Sequence, residues 1–123
     1  MVRTKEEQEQ HDLRVCLAGR FFKSRGYEVG TDAPCGIATI EVPTFEHGGE
    51  TFKPDVYAKK GDFVFIAEVE TESTIDLEET RREIEVFSNY AVVYIYVPLH
   101  VEQRMRENLM NWGLYSKTRL LGY

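Results

Sequence analysis

The chain has 123 residues, 42% hydrophobic and 29% charged, with seven Phe and seven Tyr. That length suits one domain, residues 1–123, with a core large enough to need no staples, and the composition excludes a disordered or low-complexity chain. The formal net charge of −6 argues against a protein devoted to non-specific phosphate-backbone binding, which draws on clustered Lys and Arg, but it suits a site whose carboxylates are offset by a bound cation.

The N-terminal run MVRTKEEQEQHD is polar, and no apolar run approaches the ~20 residues of a membrane span, so neither signal peptide nor membrane helix is expected. Cys16 and Cys35 are too few and too irregularly spaced for a disulfide framework or a metal knuckle. They read as a core-filling helix residue and a loop thiol, which fits a reducing, cytoplasmic setting.

Thr4 and Glu7 stand at capping-box spacing ahead of a helix over 5–25, whose apolar stripe reads as Leu13, Leu17 and Phe21, widened by Ala18 and Phe22. Gly26, after the basic KSR, suits the left-handed position that ends it. The β-branched run IATIEV (37–42) predicts a strand, and Pro43 with the HGG at 47–49 predicts a turn.

Two further strands, FKPDVYA and FVFIAEVET, flank KKGD and form a hairpin. A tip at Lys60 and Gly61 pairs Asp62 with Lys59 and sets Asp55 opposite Ile66. Alternation then puts Asp55, Ile66, Glu68 and Glu70 on one face and Phe63, Phe65, Ala67 and Val69 on the other. Three carboxylates on one face of an apolar hairpin stand out. Beyond it, Asp76 and Glu79 give a second capping signature, before a helix that buries Leu77, Ile84 and Phe87. AVVYIYVP predicts a strand buried on both faces and therefore helices covering the sheet. A helix over 100–112, ended by Gly113, and a short last strand complete an α/β chain.

The segment KPDVYAKKGDFVFIAEVE resembles the core motif of the PD-(D/E)XK nucleases. Pro54 and Asp55 match its first part, Glu68 and Val69 its second, and size and hairpin are similar to archaeal Holliday junction resolvase-like proteins. The resemblance covers about residues 5–112. It implies a restriction endonuclease-like αβββαβ core with a mixed central sheet between helices. It also implies hydrolysis of DNA phosphodiester bonds, including branched or structured DNA, with Mg²⁺ or Mn²⁺ as cofactor. Asp55 and Glu68 are then metal ligands, with the Val69 carbonyl as a neutral third. Glu9, His11 or Asp12 would approach from the first helix, Glu9 being the choice. The chain departs from the family where its lysine should stand, because that position is Glu70. Glu70 then serves as ligand or general base, or a cation arrives from elsewhere, with Lys53, Arg81 and Arg82 nearest in sequence, or the chemistry has been lost. Lys53, Lys59, Lys60, Arg81 and Arg82 are the basic groups available to DNA.

The chemistry stands without the family name: phosphodiester hydrolysis needs a cation that offsets developing charge and acidifies water, and Mg²⁺ takes a few carboxylate oxygens while keeping several waters. Two rival readings belong to other classes. One is an inactive protein of the same fold that binds nucleic acid or a protein partner. The other is an acidic structural subunit forming a homodimer. His11, His47 and His100 lie in no ligand spacing and read as surface residues.

Overall fold

A computed structural model describes residues 2–123. Helix α1 (Lys5–Ser24) begins as its sequence dictates: the Thr4 side chain accepts from the Glu7 amide, and the Glu7 carboxylate accepts from the Thr4 amide. Gly26, at φ +86°, turns the chain away in a conformation that L side chains avoid. Strand β1 (Glu28–Thr31) follows, then a hairpin of β2 (Phe45–His47) and β3 (Glu50–Phe52) whose turn is Gly48 and Gly49. Next come β4 (Val56–Lys60), β5 (Phe63–Val69), α2 (Glu78–Ser88), β6 (Val92–Val97), α3 (Glu102–Asn111) and β7 (Thr118–Gly122).

Five strands form one mixed sheet in the order β1-β4-β5-β6-β7. The β1–β4 and β4–β5 pairs are antiparallel, whereas β5–β6 and β6–β7 are parallel. One face packs on α1 through Val15, Ala18, Phe22, Val56, Ala58, Ala67 and Val69. The other buries Ile66, Ile84, Phe87, Val93, Ile95, Met105 and Leu109 under α2 and α3. The expected α/β architecture, a mixed sheet between helices, is therefore what the chain adopts, and β6 is covered on both faces.

Four expectations change. The buried stripe of α1 is His11, Val15, Ala18, Gly19 and Phe22, while Leu13, Leu17 and Phe21 are 59%, 38% and 40% exposed. Small residues decide this: a Cβ at Gly19 would stand 3.0 Å from the side chains of Thr31 and Ile37, so the helix lies close only on that face. Residues 37–42 form no strand. They cross over Gly30, where an added Cβ would meet the Ile40 carbonyl at 2.9 Å and the Val42 nitrogen at 3.0 Å, and Thr39 donates to the Val29 carbonyl. Leu77 caps α2 without a side-chain bond, because Asp76 is taken by Arg104 (2.9 Å) and Asn108 (2.8 Å). Finally, Cys16 and Cys35 are joined in a disulfide that ties α1 to the loop after β1, so the inference of a reducing setting loses the free thiols it rested on.

Replacing Gly30 by Ala forces backbone against backbone. Gly30→Ala is expected to destabilise the fold by about 1–3 kcal/mol, read from the urea midpoint. A midpoint equal to wild type would show that residues 40–42 do not press on β1.

Candidate metal and phosphate cleft

The hairpin turn is Gly61–Asp62, one residue later than expected, with Lys60 opposite Phe63 and Gly61 at φ +60°. The register therefore slips by two residues. Because a slip of two preserves alternation, the faces survive, and Asp55 comes to stand across from Glu68 rather than Ile66. There the ladder ends, and the two carboxylates take over its bonds. The Asp55 amide donates to Glu68 Oε2 and the Val69 amide to Asp55 Oδ2, each at 2.8 Å. Each carboxylate thus spends one oxygen on a backbone N–H that has lost its ladder partner.

These groups line a cleft of about 270 Å³ together with Arg3, Asp32, Lys53, Glu70 and Glu83. Glu68 and Glu70 are only 3% and 4% exposed. Burial pushes the Glu68 carboxyl well above its ordinary range, and the charges of Asp55, Glu83 and Glu70 push it further. Burial likewise lifts Glu70 to about 8, aided by Asp55 and Glu83, against the pull of Arg3. Glu70 Oε1 accepts from Thr80 at 3.3 Å. Glu83, on α2, is raised to about 7 by burial, against a hydrogen bond with Glu68 and with support from Asp55.

From α1, Gln8 lines the cleft and His11 contacts Asp55, whereas Glu9 is exposed and lines no part of it. His11 is 7% exposed, a correction to its reading as a surface residue. Its Nε2 lies 3.2 Å from Asp55 Oδ2 and its Nδ1 2.9 Å from Asp12 Oδ1. Burial lowers the imidazole's pKa, but the hydrogen bonds and charge of Asp55 and Asp12 outweigh it, and the net direction is upward. The Val69 carbonyl, expected as a ligand, accepts from Arg3 Nη2 at 3.1 Å. Lys53 stands at the cleft in an ion pair with Asp32 (3.1 Å). Arg81 and Arg82 do not reach it: Arg81 pairs with Glu78 and Glu85, and Arg82 with Glu50 beside a different groove. Lys59 and Lys60 lie at the far end of β4, where Lys60 donates to the Arg25 carbonyl.

Two residues of the cleft, Glu83 and Arg3, escaped the sequence reading. Glu83 had a signal, since it interrupts the stripe of Thr80, Ile84 and Phe87 on the buried side of α2. Arg3 precedes the helix with no periodicity to mark it.

Among the described residues no three His, Cys, Asp or Glu side chains are arranged to hold a metal ion. Asp55 and Glu68 nevertheless fit one. Mg²⁺ is ordinarily held by one or two protein carboxylates, with waters and substrate oxygens filling the rest, and each of these two carboxylates has an oxygen beyond the one bound to the backbone.

No protein-family model matches this chain, and no curated protein does. Among solved structures it is similar to the crystal structure of AF1548, titled a protein of unknown function, at 13% identity and a TM-score of 0.57. The match covers 90% of this chain and 57% of that one, so this chain spans little more than half the length of AF1548. The likeness shows a shared fold. No described helix is long and apolar enough to cross a membrane.

The raised Glu70 pKa fixes the sign of a pH effect. Between the ordinary carboxyl value of 4.5 and about 8 the folded chain holds a proton that the unfolded chain releases, so stability falls as pH rises through that window. Without divalent ions, wild type is expected to lose stability by up to about 1.4 kcal/mol per pH unit from this group, and Glu70→Gln to lose less and to match or exceed wild type near pH 8. Parallel stability curves for the two proteins would show that Glu70 is not strained.

Proposed function

We propose that this chain is a Mg²⁺- or Mn²⁺-dependent nuclease that hydrolyses DNA phosphodiester bonds. One observation carries the reading: Asp55 and Glu68 face each other where β4 and β5 part, each anchored through one oxygen and lining an acidic cleft. This agrees with the resemblance of KPDVYAKKGDFVFIAEVE to the PD-(D/E)XK motif. A divalent ion bound there would offset charge on the phosphate and acidify water.

The chain's own residues divide the remaining work. Asp55 and Glu68 would hold the ion. Glu70, with a pKa of about 8, suits a group that takes a proton from the attacking water near neutral pH. His11 steadies Asp55 through the oxygen that also meets the Val69 amide. Lys53, at the cleft, would meet the DNA backbone. The cations at Lys59, Lys60, Arg81 and Arg82 lie away from the cleft and offer at most outlying contacts.

A second reading is a catalytically silent protein of this fold that binds nucleic acid or a protein partner. The specific observation favouring it is the Val69 carbonyl, which is bonded to Arg3 where a ligand was expected, beside a glutamate where the family carries lysine. Incubating a plasmid, a linear duplex and a four-way junction with Mg²⁺, Mn²⁺ or chelator separates the two. Cleavage is expected only with metal and is expected to drop at least about a hundredfold in Asp55→Ala and Glu68→Ala, each of which removes charge stabilisation from the transition state. Metal-independent cleavage, or wild-type rates in either variant, would refute the nuclease reading. A folded wild type that cleaves none of the three would favour the silent one.

A further inference from the structure

Among the described residues two cations, Arg3 and Lys53, line the acidic cleft, and they are differently employed. Lys53 is paired with Asp32 through half-exposed side chains. Arg3 forms no ion pair among the described residues. Its bonds go to neutral acceptors instead: Nη2 donates to the Val69 carbonyl at 3.1 Å and Nε to Thr71 Oγ1 at 3.3 Å.

The guanidinium is a rigid planar fork with five N–H donors. Nε and Nη2 make up its long edge. Anchoring by that edge leaves three N–H donors, both of Nη1 and the second of Nη2, without a partner in the described contacts, and one from each nitrogen forms the end edge. A fork held in this way has already lost much of its rotamer freedom and can meet two oxygens of an oxyanion bidentately. Its anchor matters as much as its charge. The Val69 carbonyl belongs to the main chain between Glu68 and Glu70, so Arg3 is tied to the segment that carries both carboxylates. The amide of Val69 itself donates to Asp55 Oδ2.

We propose that Arg3 is the phosphate clamp of this cleft, its free edge taking two non-bridging oxygens of a phosphodiester beside Asp55 and Glu68. Identifying the ligand as DNA rests on the nuclease reading, whereas the anion site rests on Arg3 itself. The clamp also accounts for how a cleft lined with carboxyls admits an anion when position 70 is a glutamate. Arg3 supplies the positive charge from before α1, and its field already opposes that of Glu70 and Glu83.

The test uses inorganic phosphate and a duplex oligonucleotide as probes, both in Ca²⁺, with wild type, Arg3→Ala and Arg3→Lys, and cleavage in Mn²⁺ as a second readout. Arg3→Ala is expected to weaken both probes by about tenfold or more, and to lower the salt slope of duplex binding by about one. Arg3→Lys, which keeps the charge but not the fork, should recover only part. An Arg3 that merely pins the chain to Val69 would lower the melting temperature in both variants and leave affinity and salt slope unchanged, which overturns the clamp. Absence of phosphate and duplex binding by wild type overturns it as well. The two proposals fail separately. Arg3-dependent phosphate binding without cleavage of any DNA keeps the clamp and removes the nuclease, while equal cleavage by wild type and Arg3→Ala keeps the nuclease and removes the clamp.

Discussion

Where two antiparallel strands part, their last amides lose their partners, and burying such groups unpaired costs about 1–3 kcal/mol each. Here the strands part at Asp55 and Val69, and each carboxylate answers the opposite strand's amide. The exchange is reciprocal, so the two acids are fixed relative to each other by the backbone rather than by packing. The nuclease reading depends on this. It holds two acidic groups side by side at a sheet end, a placement their charges alone would oppose.

The opposition is partly met by neighbours. His11 brings a donor to Asp55, Thr80 one to Glu70, and Arg3 a positive charge to the main chain between Glu68 and Glu70. What they leave unmet appears as the raised pKa values of Glu68, Glu70 and Glu83. Buried carboxyls driven upward by desolvation and by each other are common at functional sites, because a fold gains no stability from crowding like charges.

The scaffold explains why these groups can converge. The central strands β4, β5 and β6 are packed on both faces, which makes the site's edges rigid. The helix α1 lies close to the sheet through Ala18 and Gly19, and that approach brings His11 to Asp55. On the same side the Cys16–Cys35 disulfide holds the loop that leads from Asp32, the partner of Lys53.

Local sequence determined the features that local physics controls. Thr4, Glu7 and Gly26 bound α1, Gly61 turns the hairpin, and alternation puts Asp55, Glu68 and Glu70 on one face in either of two registers that differ by two residues. The run AVVYIYVP likewise announced a strand covered on both sides. Tertiary structure decided the rest, for an identifiable reason in each case. Leu13, Leu17 and Phe21 are more apolar than Ala18 and Gly19, but helix-to-sheet distance rewards small side chains, and no periodicity measures distance. Residues 37–42 have strand composition yet cross over Gly30, because what they lie against is set by the closure of the loop. Arg3 and Glu83 line the cleft and His11 contacts its Asp55, from segments far apart in sequence or on different elements, and only the folded chain brings them together.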